Sequence, residues 1–380
     1  MFILALKRQS VPSLALLVLF VVAACGSDDE NNTTNPFQPP PDEPPTPVIA
    51  LVANQASNNV SAYTINSSTG ALVPVAGSPF AAGTTPVGIA LTSDGMLVYV
   101  ANQGSNNVSA FAVNPSTGAL GPIAGSPFSA GTTPFRITVS PNRSFLYVTN
   151  QGSNNISAFA IGVGGSLAPI TGSPFATGFT PAGVTCTPNG AFLYVANQGS
   201  NDVSGYTINA SGQLSPVAGS PFSVGTTPVG VVVSPDGSFL YVSNQGSNYV
   251  SALAINGSTG ALTPITGSPF ATGITPAGIM ISPTGSFLYV ANQSTNNVSA
   301  FTVNAGTGAL SPIGVLSPSG TTPTAVTVSP DGAFLYVANQ GSNDVFAYSI
   351  NPGTGELTTV SGTPFPAGVT PRAIATPGRP

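Results

Sequence analysis

The chain has 380 residues, of which only 6 are Lys or Arg and 11 are Asp or Glu, against about a quarter charged in ordinary soluble domains. With 44 Gly, 38 Pro and 42% hydrophobic residues, it is too apolar for a disordered chain and too rich in breakers for a helical one. It contains no His, and its single Lys, Lys7, falls in a segment read below as removed, so imidazole bases, His-ligated metals and Lys Schiff bases are excluded from the mature protein. A net charge of −5 leaves no electrostatic footprint for nucleic acid.

Residues 1–24 read as an export signal. Lys7 and Arg8 precede an apolar run, Val11–Ala24, that is shorter than the roughly 20 residues needed to span a bilayer. The run ends Val22-Ala23-Ala24-Cys25 and continues Gly26-Ser27. This resembles the bacterial lipoprotein lipobox, which implies that Cys25 is lipidated and becomes the new N-terminus. Gly26 in place of Asp resembles the outer-membrane sorting class. The alternative is a plain signal peptide with an incidental Cys.

Residues 25–47 then form a tether. The stretch after Cys25 is rich in Pro and acids, with Phe37 as its only large apolar residue. Such a segment buries no core and extends as a self-repelling spacer, reaching roughly 70 Å at most in polyproline geometry.

From residue 48 the chain repeats itself. The Asn of a Tyr-Val-Ala-Asn-Gln element recurs at Asn54, Asn102, Asn150, Asn197, Asn244, Asn292 and Asn339, a period of 47 or 48 residues. Each unit offers four strands. The first is an apolar run after Thr-Pro, such as 229–233. A Ser-Pro-Asp-Gly turn (234–237) leads to the second, Phe239–Asn244, whose aromatic and β-branched residues suit a pleated surface. The third, such as 298–304, ends at the turn Thr307-Gly308. The fourth carries Pro within it, as at Pro264, which places it at a sheet edge.

Sheets apolar on both faces must be covered on both faces, and stacking seven of them radially achieves this. The array begins at Val48-Ile49-Ala50-Leu51, already a second strand, and finishes Thr370-Pro371-Arg372-Ala373-Ile374-Ala375, a first strand without successors. One completes the other. The expectation is all-β: a seven-bladed β-propeller of four-stranded antiparallel blades over 48–380, its ring closed by the C-terminal strand joining the N-terminal blade.

Tyr147-Val148-Thr149-Asn150 is the literal signature of YVTN β-propeller repeats, with YVAN or YVSN at the equivalent positions of five other units. The repeats resemble the lactonase-like superfamily, which includes a 6-phosphogluconolactonase group and also non-enzymatic cell-surface proteins. The resemblance implies an active site built from His, Arg and Glu near the channel. This chain has no His for that role and no acid outside turns.

Residues that break the repeat are the candidates for chemistry. Arg136 stands where other units have Gly88, Gly183, Gly230 and Gly278, and Arg372 one position earlier in its unit. Both fall on innermost strands in blades separated by only one, so two guanidiniums at one channel mouth would bind a carboxylate or phosphate; the alternative is that each snorkels to solvent. Arg143 and Arg379 read as solvated. Asp94, Asp236, Asp331, Asp202, Asp344 and Glu356 all occupy turns, where local hydrogen bonding explains them. Cys186, on a first strand, reads as a small buried hydrophobe. Asn-x-Ser triplets such as Asn107-Val108-Ser109 read as turns, and the Gly-Ser-Asn-Asn loops as neutral groups that keep the protein soluble. No metal or cofactor is expected.

Together these features favour an exported, lipid-anchored and monomeric propeller acting as a non-catalytic binding or surface-interaction module, with membrane contact through the lipid alone. The competing reading is a lactone hydrolase of the 6-phosphogluconolactonase-like type.

Overall fold

The computed structural model describes residues 47–314 and 316–378. The export signal, Cys25, the tether up to residue 46 and Arg379 lie outside the described residues. Seven antiparallel sheets form the blades of a propeller, and among the described residues the only helical element is a single 3-10 turn at Val163–Gly165.

Within the second to seventh blades the strands follow chain order from the axis outward. In the fifth blade these are Pro228–Val233, Phe239–Asn244, Tyr249–Ile255 and an outer edge. That edge differs from the single strand expected. It is split into Leu262–Pro264 and Phe270–Ala271, both paired with Tyr249–Ile255. The gap holds a Gly-Ser-Pro turn whose Ser268 Oγ accepts the Ala252 N–H at 3.0 Å, so a hydroxyl replaces the missing strand partner. Ser78, Ser126, Ser173 and Ser220 do the same in their blades.

The ring closes as expected. Pro371–Ala375 pairs antiparallel with Ile49–Asn54, matching Leu51 to Ala375 and Val52 to Ile374, and becomes the innermost strand of the first blade.

The two-sided apolar pattern follows from stacking. Successive side chains on a strand point to opposite faces. Leu240 and Val242 therefore pack against the fourth blade, with Phe192 and Tyr194, while Phe239 and Tyr241 pack against the sixth, with Leu288 and Val290. Each such large side chain contributes about 1.5–3 kcal/mol by leaving water.

Directional bonds fix the blades relative to one another. Tyr241 is fully buried and its hydroxyl donates to the Gly308 carbonyl of the next blade at 2.9 Å. Tyr99, Tyr147, Tyr194, Tyr289 and Tyr336 make the same bond to Gly165, Gly212, Gly260, Gly355 and Gly70. The first blade has Leu51 at this position, so its seam with the second blade lacks the bond. On one face, a left-handed Asn in each Gly-Ser-Asn-Asn loop accepts the N–H of the Thr preceding the next blade, as Asn58 does from Thr85 and Asn343 from Thr370.

The signature Asn is structural. Asn102 is fully buried at the end of its strand; its Nδ2 donates to Asn107 and Ser109, and its Oδ1 accepts from the Gly83 amide. The triplet at Asn107 thus opens the third strand rather than forming a free turn.

Candidate functional site

Each innermost strand begins at a Thr-Pro and runs along the central channel. At the first residues the ladder with its neighbour is interrupted, as between Pro134 and Ile137. The glycine that follows permits close approach of the next blade: a Cβ on Gly230 would lie 2.5 Å from the Ala277 carbonyl oxygen. Arg136 occupies that glycine position in the third blade. Beside it Thr149 Oγ1 donates to the Ala182 carbonyl at 2.8 Å and receives the Arg136 N–H at 3.0 Å, as Ser243 does for Ala277 and Gly230 in the fifth blade.

The structure brings Arg136 and Arg372 together at one mouth of the channel, in a cavity of about 240 Å³. Arg136 Nη1 donates to the carbonyls of Val87 at 2.6 Å and Arg372 at 3.2 Å, and its guanidinium lies 5.0 Å above the Phe135 ring. Arg372 Nη1 donates to Gln340 Oε1 at 2.8 Å, while its Nε is buried with no acceptor among the described residues. Among the described residues no Asp or Glu lines this cavity. Burial, reinforced by repulsion from Arg372, pulls Arg136 down to about 9, and burial lowers Arg372 as well. Two cations held this way without a counter-charge favour an anion between them.

The repeat supplies the rest of the mouth. Gln103, Gln151, Gln198, Gln245 and Gln293 line the cavity, and Gln340 holds Arg372. These glutamines directly follow the signature Asn, and their backbone N–H groups bond to the Thr of the incoming loop, as Gln103 does to Thr85. Sequence reasoning that searched only for breaks in symmetry missed them. The available signal was an invariant Gln one residue past a strand end, at the mouth of a closed ring.

Below the mouth the channel continues between the innermost strands, where aliphatic side chains such as Ile137, Val184, Val231 and Val326 alternate with Gly183, Gly230 and Gly278 and with Arg136. It opens on the opposite face into a wider cup of about 590 Å³ rimmed by Pro141, Pro188, Pro235, Pro283, Pro330 and Pro377. Pro47 and Val48 lie beside this second face, next to the Ser93–Met96 turn and Pro377.

The remaining expected residues fall away from the mouth. Asp94, Asp236 and Asp331 accept from the Thr or Ser that opens their own turns, Asp202 and Asp344 accept from Asn197 and Asn339, and Glu356 accepts from Thr354. Arg143 is not simply solvated: it forms an ion pair with Asp94 across the second and third blades. The pair is half exposed, so solvent screening keeps its contribution small. Cys186 is partly buried at the end of its innermost strand, among side chains such as Leu193 and Val184, and burial pushes its thiol up to about 12. Among the described residues no cluster of three or more metal-ligating side chains occurs.

The profile of the lactonase family, a 7-bladed β-propeller, matches the chain in overlapping segments, 48–135, 123–229, 219–322 and 317–377. The chain belongs to this lactonase propeller family. Two solved structures similar to it are candidate 6-phosphogluconolactonases. That from Bacteroides fragilis is 22% identical with TM-score 0.77, covering 91% of this chain and 99% of its own. That from Bacteroides uniformis is 22% identical with TM-score 0.76, covering 87% and 99%. A periplasmic gluconolactonase from Pseudomonas aeruginosa is 21% identical with TM-score 0.74, covering 88% and 99%. At these identities the likeness shows the fold alone. No curated protein sequence matches the chain. Membership of the lactonase propellers thus supports the hydrolase reading over the purely non-catalytic one, while this member has no imidazole and its mouth offers guanidiniums and amides, with no carboxylate among the described residues.

Proposed function

We propose that the protein is a lactone hydrolase that works at the Arg136–Arg372 mouth on a lactone bearing, or yielding, an anionic group. The observation that carries this is the pair of guanidiniums that share one cavity with no carboxylate among its described residues. When water adds to a lactone carbonyl, negative charge collects on the carbonyl oxygen, and guanidinium N–H groups stabilise it. The ring C–O bond then breaks, the ring oxygen leaves as a hydroxyl with a proton from the attacking water, and the product is a hydroxy acid whose carboxylate suits the same cations. The amides around the rim give hydroxyl-bearing substrates both donors and acceptors.

No group at the mouth is suited to take the water's proton, so electrostatic stabilisation is the main source of catalysis. One such donor accounts for about 10²–10³-fold in rate. The same observation favours a second reading, binding of an anionic sugar derivative without turnover. Acid release from simple, aromatic and phosphorylated sugar lactones separates the two, using the chain from residue 26 onward. Turnover about 10²-fold or more above the spontaneous rate, lost in Arg372→Ala, supports the hydrolase. A rate equal to buffer, with saturable uptake of the product acid, establishes the binder.

The protein is further proposed to be exported and held at the cell envelope, in the outer membrane, by a lipid on Cys25. The support is the sequence Val22-Ala23-Ala24-Cys25 after an apolar run. Expressed in a Gram-negative host, the wild-type protein should partition into detergent and Cys25→Ala into the aqueous phase. Equal partitioning of both would remove the anchor.

A further inference from the structure

We infer that Arg136 clamps the seam between the first and second blades, doing there what a buried tyrosine does at every other seam, and that it thereby links occupancy of the mouth to closure of the ring. Two independent observations meet at this seam. At six of the seven blade junctions a phenol on the second strand donates to a glycine carbonyl of the following blade. At the remaining junction the donor position is Leu51, and Gly118, whose φ of 74° matches the other acceptor glycines, receives no such bond. Arg136 Nη1 donates to Val87 O of the second blade and to Arg372 O of the first, the two innermost strands that meet at that seam. The contact to Arg372 also reaches the closing strand, Pro371–Ala375, which is continuous with the seventh blade but joined to the first blade by pairing alone.

One guanidinium therefore serves two purposes. Nη1 spends its hydrogens on the seam, whereas Nε and Nη2 make no hydrogen bond among the described residues, and the side chain lines the mouth. An anion held by the free edge keeps the guanidinium in place and so keeps the seam shut. The clamp stands on geometry alone. Its link to the mouth rests on the reading of that cavity as an anion site.

The test combines two substitutions on the full chain. Arg136→Gly installs the residue found at Gly88, Gly183, Gly230 and Gly278. It should lower the melting temperature by about 3–6 °C. It should also speed hydrogen exchange selectively at 49–54, 86–91 and 371–375, leaving the seam between the fourth and fifth blades at its wild-type rate. Leu51→Tyr restores the missing phenol and should recover most of the lost stability in the Arg136→Gly background while adding less to the wild type. Equal increments in both backgrounds, or an unchanged melting temperature for Arg136→Gly, would overturn the clamp. The exchange pattern decides the matter even if Leu51→Tyr fails to fold: acceleration spread evenly over all blades also overturns it. For the link, inorganic phosphate should slow exchange at the 49–54 and 371–375 segments of the wild type and not of Arg136→Gly/Leu51→Tyr. Equal protection of both proteins, or of neither, would leave a clamp without a link. Lactone turnover enters none of these readouts, so failure of the hydrolase reading is distinguishable from failure of the clamp.

Discussion

Raising the pH above 10 is expected to unfold the protein within about one to two pH units, after a nearly flat stability profile between about pH 5 and 8. Burial raises the phenols of Tyr99, Tyr147, Tyr194, Tyr241, Tyr289 and Tyr336 far above their usual 10. Above pH 10 the unfolded chain sheds protons that the folded chain retains, so stability falls as pH rises. Six such groups give a slope of roughly 8 kcal/mol per pH unit once all titrate, against a typical total stability of about 5–15 kcal/mol. Cys186 has the same sign and begins to act near the ordinary thiol range, while Arg136 and Arg372, both pulled down by burial, have the opposite sign but are two groups against six phenols.

The acid side is quiet by comparison. Burial raises Asp94 and Asp236, but hydrogen bonds from Thr92 and the Met96 amide to the first, with help from Arg143, and from Ser234 and Ser238 to the second, leave both lowered. Their stabilisation is present above the unfolded carboxyl value and is lost as pH falls below about 4. The phenolate absorbance of these six tyrosines and the far-ultraviolet circular dichroism should change together in one alkaline step. Ionisation of six or more of the ten phenols near pH 10 while the dichroism stays native would contradict the buried staples.

Ending the chain at Thr370 is expected to abolish cooperative folding. The deletion removes the strand matched to Leu51, Val52 and Ala53, and with it Ile374 from the core shared with Tyr336 and Val345. It also removes the carbonyls of Pro371 and Arg372, which accept from Thr324 and Arg136. The freed edge at Ile49–Asn54 then offers unpaired backbone groups for aggregation. The combined loss is of the same order as the roughly 5–15 kcal/mol that holds a typical domain together. Ending at Thr376 keeps the strand and the Thr376 bond to the Val328 carbonyl, and should leave a cooperative urea transition. A soluble Thr370 truncation with a wild-type midpoint would show that the ring stands open without harm.

The fold was legible because each repeat carries its own turns and because the two chain ends were out of phase by one strand. Arg136 and Arg372 could be brought to one mouth by that phase alone. The split outer edge was not legible: Pro264 and Pro269 each explain an edge position, but the hydroxyl of Ser268 that bridges them depends on the fold. Tyr241 was equally opaque, since an aromatic residue in a strand needs no further reason and its acceptor lies 67 residues along the chain. The Arg143–Asp94 pair spans 49 residues, and turn chemistry had already accounted for the acid. The glutamines escaped notice because they repeat, and a ring turns repetition into convergence.

The placement of Pro47 and Val48 beside the proline-rimmed cup carries a consequence for how the molecule presents itself. The polypeptide joins the ring on the side away from the guanidiniums. Entry point and mouth therefore occupy opposite faces of the ring, and a small solute reaches Arg136 and Arg372 without passing the prolines that surround the point of entry.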